Sequence, residues 1–215
     1  MRLILLAAVL GGLFCTCAIA DDDISKVNGS IRVDDGRTVG DLDTVNGSIQ
    51  LGDNARADGI DTVNGSVEIG SGASATSAET VNGRIGLGER ARIAQGVKTV
   101  NGAITLATGS DVSGKVSNVN GAIRLEGAHV GGGIETVSGD IEVGAGSRVE
   151  GGIRVEKPNG WFNPSSKPPR IVIGPDAVVE GTLDFRREVE LHVSDRATVG
   201  TIEGATAKRF SGPTP

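Results

Sequence analysis

Aliphatic residues recur along this chain with two superposed periods. The short period is two: Ile31, Ile49, Val67, Ile85, Ile104, Ile123 and Ile141 are each followed two positions later by Val33, Leu51, Ile69, Leu87, Leu106, Leu125 and Val143. The residue between them varies freely, reading Arg32, Gln50, Glu68, Gly86, Thr105, Arg124 and Glu142. Such alternation predicts a short strand with one buried face. The long period comes from the Val-Asn-Gly tripeptide that precedes each strand, beginning at Val27, Val45, Val63, Val81, Val100 and Val119 and ending as Val137-Ser138-Gly139, at intervals of 18, 18, 18, 19, 19 and 18.

A single copy cannot bury these columns. Stacking the copies as coils about 4.8 Å apart sets valine on valine and satisfies the backbone through ladder hydrogen bonds. The predicted fold is therefore all-β, a single-stranded parallel β-helix (β-solenoid) of about nine or ten coils. Looser apolar positions, such as Ala55, Ala57 and Ile60 or Ala91, Ile93 and Val97, line the other sides. The Asn-Gly pair marks a corner, where glycine accepts positive φ without a steric cost. Stacked corners align Asn28, Asn46, Asn64, Asn82, Asn101 and Asn120 into a structural ladder. The competing reading, hairpins with two-residue Asn-Gly turns, gives no reason for so constant a period.

Beyond Val143 the pattern loosens but persists through Ile171, Ile173, Val179, Leu183, Leu191 and Val193. The solenoid domain is expected over residues 21–204. A loop at 157–170 breaks the repeat with Pro158, Pro164, Pro168 and Pro169, and carries Trp161 and Phe162 as the candidate contact residues. Residues 205–215 form a tail expected to fray unless Phe210 caps the last coil.

The N-terminus has a different character. Arg2 precedes an apolar run that ends in Ala18-Ile19-Ala20, the pattern of a secretory signal peptide at residues 1–20, with Ala18 and Ala20 at the cleavage site. A membrane anchor needs a longer run, about 20 apolar residues. Both cysteines, Cys15 and Cys17, lie in this segment, so the mature chain has no thiol. The expected location is outside the cytoplasm, periplasmic or extracellular, with lipid anchoring through Cys15 or Cys17 as the alternative. Without the signal the chain holds 20 Lys plus Arg against 27 Asp plus Glu, a net charge of −7, which argues against nucleic acid as a partner. With 34 glycines, one tryptophan and no tyrosine, the chain suits stacked aliphatic layers better than an ordinary globular core.

Candidate chemistry is sparse. His129 falls in the glycine-rich return of a coil, and His192 points outward beside Glu190, a pair that reads as a solvated strand face rather than a metal site. Acidic residues, including Asp34, Asp35, Asp53, Asp58 and Asp61, form no repeated Gly-Asp pattern of the kind that binds calcium. Thr44, Thr62, Thr80, Thr99 and Thr136, with Asn118 in the same column, read as an outward rank. With the Asn column that rank would suit surface recognition of ice or carbohydrate, or simply an exposed β position. The outward column from Arg32 to Glu142 changes character at every coil, so no acid–base cluster for a carbohydrate-active β-helix enzyme can be nominated. The reading is non-enzymatic, with no catalytic residue, cofactor, metal or small-molecule substrate. Expected partners are the cell envelope or a second copy, joined end to end through open ladder edges.

The run Thr-Val-Asn-Gly-Ser-Ile-Gln-Leu-Gly at residues 44–52 resembles a bacterial adhesin-repeat family, a domain of unknown function, and the stretch 171–183 is similar to coils of bactofilins. These resemblances imply a structural or surface role, favour a right-handed winding and carry over no catalytic residues. Leu51-Gly52-Asp53-Asn54-Ala55-Arg56 and its counterparts at 87–92 and 173–178 also look like the hexapeptide units of left-handed β-helix acyltransferases, typically with one unit per coil.

Overall fold

The computed structural model describes residues 22–158 and 167–215. Among them no helix occurs, and the strands pair in parallel between successive coils. One side of the solenoid is a ten-stranded sheet running from Ile31–Val33 through Ile49–Leu51, Val67–Ile69, Ile85–Leu87, Ile104–Leu106, Ile123–Leu125, Ile141–Val143, Arg170–Ile173 and Glu190–Ser194 to Lys208–Phe210. Its register is that of the repeat: Ile31 faces Ile49 and Val33 faces Leu51. Residues Ile31 to Val193 of these columns are buried, and the intervening column faces out. Each enclosed Ile or Leu contributes about 1.5–3 kcal/mol through removal from water.

The remaining wall begins as one sheet. Ser74–Asn82 and Arg92–Asn101 run unbroken around a bend, and beyond them the sheet divides into two rows. One row continues at Asp111–Val112 and the other at Val116–Ser117, making the later coils three-sided. Glycine explains the division. A Cβ at Gly114 would lie 1.2 Å from the Gln95 carbonyl oxygen, and one at Gly132 would lie 2.5 Å from the Gly114 carbonyl carbon. Only glycine permits that close approach of neighbouring coils, and it interrupts the strand there.

Ile141 and its ladder partner Ile171 are 30 positions apart rather than the usual coil length. The extra length comprises the proline-rich segment, and Trp161 and Phe162 fall outside the described residues. So do Ala18 and Ala20. The expected tail beyond 204 instead supplies a tenth rung, with Ser194 paired to Phe210.

Two expectations about the repeat are corrected. The valines of Val-Asn-Gly point outward, with Val27, Val45, Val63 and Val81 at 69, 42, 40 and 40% exposure, whereas Thr44, Thr62, Thr80 and Thr99 point inward at 4, 5, 4 and 1%. The reason is the corner that follows. Thr62 Oγ1 donates to Gly47 O of the preceding coil at 3.0 Å, and Thr44, Thr80 and Thr99 do the same to Gly29, Gly65 and Gly83. Threonine satisfies a backbone carbonyl there, which valine cannot do.

The corner glycines are needed for space more than for φ. A Cβ at Gly47, Gly65, Gly83 or Gly102 would sit 1.8–2.2 Å from the glycine carbonyl oxygen one coil earlier, and of this column only Gly29 and Gly121 have positive φ. The left-handed corner lies after the Ile-x-Leu strand instead, stacked through Gly36, Asn54, Gly72, Arg90, Gly109, Gly127, Gly146 and Asp176.

Candidate functional site

Because threonine faces in, its two neighbours along the strand face out. In Leu42–Asn46, Gly59–Asn64 and Ser74–Asn82 the register sets Asp43 against Asp61 and Asp61 against Glu79. Val45, Val63 and Val81 form the parallel outer column. Between the columns runs a shallow groove of about 600 Å³, extended by Lys26 and Val27 at one end and by Lys98 and Val100 at the other. One wall is apolar and the other acidic.

Glu79 is partly neutralised by Lys98 at 3.7 Å, while among the described residues Asp43 and Asp61 have no ion-pair partner. Partial burial raises the Asp61 carboxyl above its ordinary range, and Glu79, Asp43 and Asp41 raise it further. The groove thus holds negative charge that the fold itself leaves uncompensated. This acidic column was missed in the sequence because it becomes outward-facing only once threonine is turned inward. The signal that could have found it is the position before each threonine, Asp43, Asp61 and Glu79.

Beside the groove the asparagines stack. Asn46 Nδ2 donates to Asn28 Oδ1 at 3.1 Å, and Asn64, Asn82, Asn101 and Asn120 each donate to the asparagine one coil earlier at 3.0–3.1 Å. The ladder rigidifies the groove's outer rim.

The hydroxyl rank is not at the surface, which removes its threonines from any ice- or carbohydrate-contacting face. On the adjacent sheet the outward column mixes charged and neutral residues, and Arg84 beside it bonds Glu68 at 2.8 Å over a second shallow depression that also touches Gln50 and Thr105. His192 bonds Glu190 at 2.9 Å, with Lys208 3.4 Å away, and these two partners hold the Glu190 carboxyl below its ordinary range.

His129 lies in a ladder between Asp111 and Arg148. Its Nδ1 bonds Asp111, and its Nε2 lies 3.3 Å from Glu150. The bond to Asp111 raises the imidazole pKa against the opposing effect of burial, with Glu150 adding to the rise. Among the described residues no group of three or more such side chains is arranged to hold a metal ion. Comparison with protein-family models, curated proteins and solved structures finds no match.

Proposed function

We propose that this chain is an exported, non-enzymatic scaffold of structural or adhesin-like kind, whose contact surface is the valine–acid groove of its first five coils. The observation that carries this reading is the regular pairing of an exposed valine column with an acidic column in which Asp43 and Asp61 have no ion-pair partner among the described residues. Exposed apolar residues in a continuous row mark contact surfaces more often than isolated ones do, and the rigid stacked backbone presents them without an ordering cost. Support for the adhesin-like character comes from the repeat at residues 44–52, and support for export from the N-terminal segment.

Charge complementarity selects the occupant: a cationic amphipathic segment of a partner protein, its apolar side on Val45, Val63 and Val81 and its Lys or Arg side chains toward Asp43 and Asp61. Titrating the mature chain, residues 21–215, with a Lys/Leu amphipathic peptide tests this. Binding should weaken with added salt, and Asp61→Asn or Val63→Ser should each lower affinity roughly three- to tenfold. Equal affinity for a neutral peptide of the same length, or binding indifferent to both substitutions, would remove the groove as the contact surface.

A further inference from the structure

The Asn-Gly corners carry latent chemistry of their own. In an Asn-Gly pair the glycine amide nitrogen can attack the asparagine side-chain carbonyl carbon, because glycine offers no steric hindrance. The reaction needs that amide free of a competing hydrogen bond and the carboxamide free to turn. In five of the six stacked pairs neither condition is met. Gly29 N donates to Asn46 O at 2.9 Å, Gly47 N to Asn64 O, Gly65 N to Asn82 O and Gly83 N to Asn101 O at 3.2 Å, and Gly102 N to Asn120 O at 3.0 Å. The carboxamide of each of these asparagines also accepts from the next in the ladder.

The sixth pair differs on both counts. Asn120 is the last member of the ladder. Position 138, one coil later, is serine, so Asn120 donates to Asn101 but among the described residues accepts nothing from the following coil. The Gly121 amide has no acceptor among the described residues. The same coil carries Asn118 in the threonine column. Its Nδ2 donates to Gly121 O at 2.9 Å as well as to Gly102 O at 3.3 Å, and its Oδ1 takes the Thr136 hydroxyl that would otherwise reach the Gly121 carbonyl. Gly121 has a φ of 113°, and Asn120 and Gly121 are both exposed.

We propose that Asn120-Gly121 is a self-modification site, the one corner of the ladder at which spontaneous deamidation proceeds. The Gly121 nitrogen, losing its proton to solvent base, bonds to Asn120 Cγ. The Cγ–Nδ2 bond breaks, and the side-chain nitrogen leaves as ammonia. Water then opens the resulting succinimide at either carbonyl to give aspartate or isoaspartate. The sum is asparagine plus water to acid plus ammonia, with no oxidant or cofactor. The product loses the Nδ2 donor that Asn120 gives to Asn101, placing a carboxylate against Asn101 Oδ1 where the regular coils meet the looser ones.

Ageing the intact mature chain in mildly alkaline buffer and mapping its peptides by mass spectrometry tests the site, with Asn159, outside the described residues, scored separately. Asn120 should convert about tenfold faster than Asn46, Asn64 or Asn82, the ratio set by retaining or lacking the amide and carboxamide bonds. Ser138→Asn, which extends the ladder, and Asn118→Thr, which restores the ordinary corner, should each slow conversion at Asn120 toward the rate of its neighbours. Similar rates at all six ladder positions, or an unchanged Asn120 rate in both variants, would overturn the proposal.

Discussion

A threonine hydroxyl enclosed within a solenoid must donate to something, and in each early coil the corner glycine carbonyl of the coil before receives it. That bond determines which way a Thr-Val pair faces. Thr62→Val keeps the shape and deletes the donor to Gly47 O, so it should destabilise the fold by about 1 kcal/mol. Gly65→Ala should cost about 3 kcal/mol or more, because its Cβ would lie 2.0 Å from Gly47 O and 2.5 Å from Gly47 C, both backbone atoms that cannot easily shift. Gly36→Ala meets nothing within 4 Å and carries only the strain of φ +69, a cost of about 1–2 kcal/mol. Urea denaturation of the three variants gives the order. If Gly36→Ala proved as damaging as Gly65→Ala, backbone conformation rather than close approach would explain the regular spacing of corner glycines along the chain.

Strand elements add what no residue shows alone. Stacked in register, Asp43, Asp61 and Glu79 repel one another along the groove, and the folded state holds the Asp61 proton more tightly than the unfolded chain does. Between the ordinary aspartate pKa and the raised folded value the native state therefore binds more protons, so stability falls as pH rises through that window and stays lower above it. Asp61→Asn is expected to raise the denaturation midpoint at neutral pH and to leave it unchanged in acid below the ordinary aspartate range. A variant no more stable than the parent at neutral pH would show that the column is not under electrostatic strain. This strain was not legible along the chain, since Asp43, Asp61 and Glu79 face outward together only because Thr44, Thr62 and Thr80 turn inward. The Asn column was legible because a carboxamide both donates and accepts, so asparagines stacked one coil apart bond one another, as Asn64 does to Asn46. His129 was visible as a residue, but its partners Asp111 and Glu150 come from the coils on either side.

For the molecule as a whole, stability is a sum of coils and of contacts between adjacent coils. Deleting residues 63–80 joins Thr62 to Val81 and leaves every column in register, so the shortened chain should fold with the same parallel-β circular dichroism and a lowered denaturation midpoint. Deleting 63–71 alone throws the later coils out of register and should abolish folding. Survival of the second deletion with native-like unfolding would contradict a register-specified stack. The chain by itself determined the period, the alternation in the Ile-x-Leu strands and hence the parallel solenoid, because a repeat that cannot bury its own apolar columns has to stack. Tertiary structure alone decided which face of the Thr-Val strands turns inward. Both residues are small, β-branched and at home in a strand, and the choice rests on a glycine carbonyl that one coil presents to the next.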